Sequence, residues 1–309
     1  MTKLTEAATG VYVIAPTPFH DDGALDTASI DRMVDFYLSA GADGLTIMGM
    51  MGEAEKLATP EAEAVIASVM KAVAGRVPVI VGVSAPGFAA MQALARSAMD
   101  AGAAGVMVAP PSTLRLDARI RDYFLSAAAV LGPDTPFVLQ DFPLATGVQI
   151  ASEVILDVVA QAPTCVMLKH EDWPGLGKIS ALRKASDAGA RRISILCGNG
   201  GLFLPEEIAR GADGAMTGFA FPEMLVGVCR HMAAGDAGRA RDLFDAYLPM
   251  ARYESQPGLG LAIRKYVLAK RGIIGGAALR KPGARLSPAD IAEIELLLAR
   301  QHQRLAALT

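Results

Sequence analysis

The sequence predicts an α/β protein, a (β/α)8 TIM barrel with a C-terminal helical appendage, and three observations carry that prediction. Eight short apolar runs alternate with amphipathic stretches, each run is apolar along nearly its whole length, and one helix-to-strand turn recurs. Strands without a polar face belong in a parallel sheet covered by helices. The runs fall at 11–16, 45–49, 78–84, 105–111, 136–142, 165–169, 193–198 and 214–219. Between them, segments such as 29–40, 60–74, 88–101, 118–130 and 152–160 space apolar residues three and four apart, the period of an amphipathic helix. The recurring turn reads AGADGL at 40–45, AGAAGV at 101–106 and RGADGA at 210–215. Its first glycine suits the left-handed cap that ends a helix, and its second lets the chain pass close under the sheet. An open doubly wound sheet would more often carry G-x-G-x-x-G after its first strand, where this chain reads APTPF.

The eighth barrel helix is expected over 222–233, which assigns 1–233 to the barrel and 234–309 to a helical extension. Periodic segments at 237–251, 258–272 and 288–306 predict three further helices, and Ser287 ahead of Pro288 and Asp290 marks the start of the last.

Composition narrows the function. With 52% hydrophobic and 20% charged residues, 309 residues can bury a large core. The 29 basic and 32 acidic residues are interspersed, so no basic stripe exists for a nucleic acid to bind. Every apolar run breaks well before the roughly 18 residues that a membrane span requires. The expectation is a cytoplasmic protein with neither a nucleic-acid nor a membrane partner. Cys165, Cys197 and Cys229 sit in apolar stretches without metal-like or CxxC spacing, and the four histidines are scattered. Reduced core thiols, no metal and no cofactor are expected.

In this fold the catalytic groups lie at the C-terminal ends of the strands and in the loops that follow. Of nine lysines, Lys169 alone ends an apolar strand, after Cys165, Val166, Met167 and Leu168. A lysine there is costly unless it is partnered or neutral, and a neutral amine is what attacks a carbonyl. Two roles stay open from spacing alone: nucleophile, or structural partner of a carboxylate such as Glu171. Glu171 lies two residues on and shares the inward face if the strand continues, while His170 turns toward the helices. It is a candidate general acid/base or the resting ion-pair partner of Lys169. Asp141 alternates outward from Gln140 and is expected to bond a neighbouring loop. Glu53 is expected to open the second helix, capping it or favouring its dipole. Trp173 lines the rim or anchors a loop, and GNGG at 198–201 is a weak phosphate signal.

Several motifs, in this order and spacing, resemble the dihydrodipicolinate synthase and N-acetylneuraminate lyase superfamily over most of the chain. They are APTPF at 15–19, Gly23 and Asp26, GMMGE at 49–53 with Lys56 and Leu57, FPLATG at 142–147, MLK at 167–169 and the GADGAMTG stretch. The resemblance implies a metal-independent lyase, an aldolase, dehydratase or deaminase. Pyruvate or another small 2-oxo acid would form a Schiff base on Lys169. It implies a homo-oligomer, usually a tetramer of two tight dimers. Lys169, Glu171 and Gln140 become the catalytic candidates, with Met50, Met51, Ser112, Asn199 and Thr217 toward the substrate.

The departures from the pattern are specific. Where the family turn reads GTTGE, Met50 and Met51 replace two threonines that bind the substrate carboxylate, leaving backbone N–H groups as donors. Gln140 stands at the proton-moving tyrosine, Ser112 falls near the second tyrosine, and Ala145 replaces the arginine of the synthases. True dihydrodipicolinate synthase activity is therefore not expected. Two rival readings are a barrel that binds an oxo acid as a non-catalytic sensor or scaffold, and an unrelated phosphate-binding enzyme suggested by GNGG.

Overall fold

Eight parallel strands of four to six residues close in sequence order into a barrel. They are β1 (Gly10–Ile14), β2 (Gly44–Ile47), β3 (Val79–Gly82), β4 (Gly105–Val108), β5 (Phe137–Asp141), β6 (Cys165–His170), β7 (Ser194–Cys197) and β8 (Gly214–Thr217). The computed structural model describes residues 2–173 and 175–308. Each strand starts within one residue of its predicted run. Most runs overshoot because the first loop residues at the catalytic face, such as Ala15, Met48 and Val83, are buried as deeply as the strands.

The helices are α1 (Thr27–Ser39), α2 (Thr59–Val73), α3 (Phe88–Asp100), α4 (Asp117–Leu131), a single turn α5 (Pro143–Thr146), α6 (Ser152–Gln161), α7 (Leu176–Asp187), α8 (Leu204–Ala209) and α9 (Pro222–Ala233). The extension adds α10 (Ala237–Glu254), α11 (Gly260–Lys270) and α12 (Pro288–Ala306). Sequence periodicity singled out neither α7 nor α8. Only Ile179 and Leu182 of α7 are buried, and α8 has six residues, too few for a period to show.

Strand alternation sorts the core into two layers. Tyr12, Ile14, Ile80, Met107, Val138, Met167, Leu196 and Met216 fill the barrel interior. Their strand neighbours, among them Leu45, Ile47, Val81, Leu139 and Leu168, pack outward with the helices. Each such side chain contributes about 1.5–3 kcal/mol when fully buried. The recurring turn behaves as its sequence implies. Gly41, Gly102 and Gly211 take left-handed φ values of 91°, 94° and 98°. At the second glycine of the last repeat, a Cβ on Gly214 would lie 1.9 Å from the Gly10 carbonyl oxygen.

The extension packs back onto the barrel. Phe219 and Phe221, after β8, meet Tyr247 of α10 with ring centroids 6.2 and 5.6 Å apart. The predicted start of α12 is capped: the Ser287 hydroxyl accepts from the Asp290 N–H, and the Asp290 carboxylate accepts from the Ser287 N–H at 2.7 Å.

Candidate active site

The site is built by β5, β6 and β7. Alternation from Met167 points Lys169 into the barrel mouth, and the β5–β6 register sets Gln140 opposite Lys169 and Asp141 opposite His170. The backbone ladder runs on past β6. Glu171 N–H donates to the Asp141 carbonyl at 2.8 Å, and Gly198 N–H donates to the His170 carbonyl at 2.9 Å. Glu171 therefore keeps the inward side of Lys169, as strand alternation predicts. Its Oε2 lies 2.9 Å from Lys169 Nζ and accepts from Gln140 Nε2 at 2.7 Å. All three residues are at most 5% exposed. In so little water the ion pair and its hydrogen bond are electrostatically stronger than they would be at the surface. The Phe142 ring, 6.0 Å from Lys169 Nζ, supplies an apolar wall.

The GNGG turn serves this carboxylate. A Cβ on Gly198 would sit 2.2 Å from Glu171 Cγ and 2.4 Å from Oε1, so glycine is what lets the side chain lie there. Asn199, itself left-handed at φ 50°, donates from Nδ2 to the Glu171 carbonyl at 3.0 Å. Gly200 N–H donates to Thr217 Oγ1 at 2.8 Å. Asn199 and Thr217 thus both act on the turn that seats Glu171, and the Gly200 N–H that a phosphate would use is already paired.

Behind the pair lies a second polar cluster. Asp141 Oδ2 accepts from Lys178 Nζ of α7 at 2.7 Å, and Lys178 also pairs with Asp172 at 2.8 Å. The outward Asp141 thus finds a helix lysine rather than a loop group, and through it the loop after β6. Burial raises the Asp141 carboxyl to about 6 against the pull of Lys178. Burial, aided by Lys178, holds His170 down at about 4. His170 Nε2 lies 3.0 Å from the Gly175 carbonyl, which can only accept, so Nε2 carries the proton.

The remaining candidates are placed as follows. Met50 and Met51 form a tight 3-10 turn after β2; Met50 is exposed, while Met51 packs on the interior layer. Thr17 Oγ1 donates to the Gly52 carbonyl at 2.6 Å and braces this turn. Ser112 is exposed in the loop after β4, its carbonyl accepting from Arg115. Among the described residues no hydrogen bond joins Met50, Met51 or Ser112 to the Lys169 cluster. Trp173 stands at the surface, edge-on to Phe203 at 4.9 Å. Glu53 does not open the second helix. It is buried in a left-handed conformation at φ 54°, paired with Lys265, while α2 begins at Thr59 behind Ala58, whose N–H donates to Glu61.

The model of the dihydrodipicolinate synthetase family matches residues 7–301. The chain belongs to that family. It is 30% identical to the L-2-keto-3-deoxyarabonate dehydratase of Azospirillum brasilense, with 94% of each chain covered. It is 29% identical to the "Probable 2-dehydro-3-deoxy-D-pentonate aldolase YjhH" of Escherichia coli (strain K12), covering 76% of this chain and 77% of the other. The crystal structure of a dihydrodipicolinate synthase from Rhodopseudomonas palustris superposes with a TM-score of 0.95 at 55% identity, covering 97% of this chain and 100% of that one. Lyase chemistry is therefore general to the proteins this chain resembles, while their names span a dehydratase, an aldolase and a synthase.

Within the family frame, sequence reasoning missed the seat of Glu171 at Gly198, the Asp141–Lys178–Asp172 cluster and the clamp on Glu53. The sequence carried a faint signal for the second, since Lys178 lies six residues after Asp172 in an otherwise weakly patterned segment.

Proposed function

We propose that the chain is a lyase that holds a small 2-oxo acid as an imine on Lys169 and moves the proton on the neighbouring carbon with Glu171. One observation carries this reading: Glu171 Oε2 touches both Lys169 Nζ, at 2.9 Å, and Gln140 Nε2, at 2.7 Å. Passing one proton from Lys169 to Glu171 leaves a neutral amine beside a carboxylic acid. The amine attacks the keto carbon. Glu171 protonates the carbinolamine hydroxyl, which leaves as water, and the resulting iminium draws electrons from the adjacent carbon. For dehydration the regenerated carboxylate removes a proton there, and the enamine expels the β-hydroxyl, protonated by Glu171, as water. For aldol cleavage the carboxylate instead takes the β-hydroxyl proton, the carbon–carbon bond breaks to release an aldehyde, and its electrons pass into the iminium to leave the enamine. Gln140 holds the carboxylate in either state, donating through its amide N–H to the ionised form.

The backbone N–H groups of Met50 and Met51 are the proposed donors to the substrate carboxylate, since the Gly52 N–H already donates to the Gly49 carbonyl at 2.9 Å. Gln140 and Ala145 stand where a synthase uses a tyrosine and an arginine, which favours a dehydratase or aldolase over condensation with aspartate semialdehyde. A homo-oligomer fits the resemblance, and sedimentation of the purified protein tests it.

Borohydride reduction in the presence of pyruvate, followed by peptide mass spectrometry, tests the imine. The expected adduct is on Lys169 and vanishes in Lys169→Ala. Labelling of another lysine, or of none across a broad panel of 2-oxo acids, contradicts the proposal.

A further inference from the structure

The turn after β2 is held from below by a single buried carboxylate. Both oxygens of Glu53 are occupied. Oε1 accepts from Lys265 Nζ of α11 at 2.7 Å, and Oε2 accepts from Lys56 Nζ and from the Arg280 backbone N–H, each at 3.0 Å. The two lysines extend the linkage. Lys265 Nζ also donates to the Ala278 carbonyl at 2.9 Å, and Lys56 Nζ to the Arg280 carbonyl at 3.1 Å. The Phe19 ring lies under both cations of the extension, 4.5 Å from Lys265 Nζ and 4.6 Å from the Arg280 guanidinium carbon.

This arrangement is costly at every point. Glu53 sits in a left-handed conformation, which a residue other than glycine keeps only where its surroundings over-determine it. Lys265 is fully buried. A buried ion pair of this kind is weak evidence for stability as such, because apolar residues of the same volume would often serve as well. What the carboxylate does here that an apolar group could not is fix the last residue of a turn whose side chains, Met50 and Met51, offer no hydroxyl. The turn is then pinned at adjacent residues, by Thr17 at Gly52 and by the extension at Glu53.

We propose that Glu53 and Lys265 are positioning residues through which the C-terminal extension sets the affinity of the Met50–Gly52 turn for the substrate carboxylate. The inference rests on the 2-oxo acid reading above. Since the clamp acts on binding geometry and not on the Lys169–Glu171 pair, its loss weakens the hold on substrate while sparing the chemistry.

The test uses the full chain with Lys265→Met, which keeps length and removes charge, and Glu53→Gln, which keeps shape. Imine trapping is measured against pyruvate concentration, alongside hydrogen exchange of the 49–57 segment. In each variant the half-saturating pyruvate concentration should rise about tenfold, the scale of one hydrogen bond to a charged group. The trapping rate at saturation should change less than about twofold, the signature of lost ground-state binding. Exchange in 49–57 should accelerate. Lys56→Met, at the partly exposed edge of the cluster, keeps the test alive if the other two do not fold, and should raise half-saturation by a smaller factor. Lys270→Ala, which breaks the exposed pair with Glu295 in the same extension, should alter neither readout.

Unchanged half-saturation in folded Lys265→Met, or a loss confined to the saturating rate, overturns the proposal. If the wild type traps no oxo acid, the imine reading fails. The exchange arm then judges the clamp alone, and unaltered protection of 49–57 overturns it.

Discussion

A carboxylate can carry protons beside an imine only if it is close to the nitrogen, shielded from water and held in one place. Glu171 meets these conditions through different neighbours: Lys169 at 2.9 Å, Gln140 at 2.7 Å, and the side-chain-free surface of Gly198 against its Cγ. Gly198→Ala should therefore displace the carboxylate by a good part of an ångström without touching Lys169. Turnover should fall by about a hundredfold, the scale of a misplaced catalytic group. Borohydride trapping at Lys169 should persist, and wild-type turnover in this variant would mean that the tight seat is unimportant. The Lys169–Glu171 pairing was legible in the sequence because two-residue alternation needs only one strand. The role of Gly198 was not, because it depends on how β7 registers against β6. Glu53 was misread for a similar reason: its partners Lys265 and Arg280 lie 212 and 227 residues away.

The strands were legible from their unbroken apolar runs, since burial on both faces leaves no polar alternation to obscure them. The short helices were harder to see. α8 illustrates why, for one of its buried positions is Glu207, a residue type that a periodicity argument assigns to solvent. Its carboxyl packs against the Cys197 thiol, one oxygen lacks a hydrogen-bond partner, and burial raises it to about 8. The folded state therefore keeps this proton between its ordinary value near 4.5 and about 8, while the unfolded chain releases it. Over that window the group's contribution to stability declines as pH rises. Glu207→Gln stays neutral throughout, so its melting temperature should gain on the wild type from pH 5 to pH 9. The corresponding gain in unfolding free energy should reach on the order of a few kcal/mol at the upper end. Parallel melting curves across that range would contradict a buried neutral carboxyl.

Across the whole molecule, the extension is bonded to loops at the C-terminal end of the barrel at more than one point. Besides the Glu53 clamp, buried Arg264 pairs through Nε with Glu254 at 2.6 Å and donates to the Gly218 carbonyl, while Glu254 accepts from the Ala220 N–H at 3.0 Å. Arg264→Met leaves Glu254 as an uncompensated buried charge and should cost about 3–5 kcal/mol, read by denaturant unfolding. A loss below about 1 kcal/mol would match a solvated surface pair and contradict this account. The helices of the extension were legible from periodicity and the Ser287 cap. Where they attach was not, since besides the Phe219, Phe221 and Tyr247 contacts the attachment runs through buried charged residues, Arg264, Lys265 and Glu254, a residue class that patterning assigns to solvent. With Gln140 and Ala145 in place of the tyrosine and arginine, the purified protein should not condense pyruvate with aspartate semialdehyde at rates normal for a synthase. A coupled assay showing such rates would assign it that activity.

In the proposed reaction Glu171, held by Gln140, moves the proton that the Lys169 imine makes acidic. Deuterium exchange at C3 of pyruvate in heavy water, compared between wild type and Glu171→Gln, tests it most directly. Glutamine keeps the shape and the contact with Lys169 but cannot carry the proton. Glu171→Gln should still give the borohydride adduct on Lys169, formed more slowly because Glu171 also takes up the amine proton and protonates the carbinolamine, while exchange at C3 falls to the rate seen in Lys169→Ala. Exchange at the wild-type rate in Glu171→Gln, with the adduct intact, would contradict it and move the proton to another group.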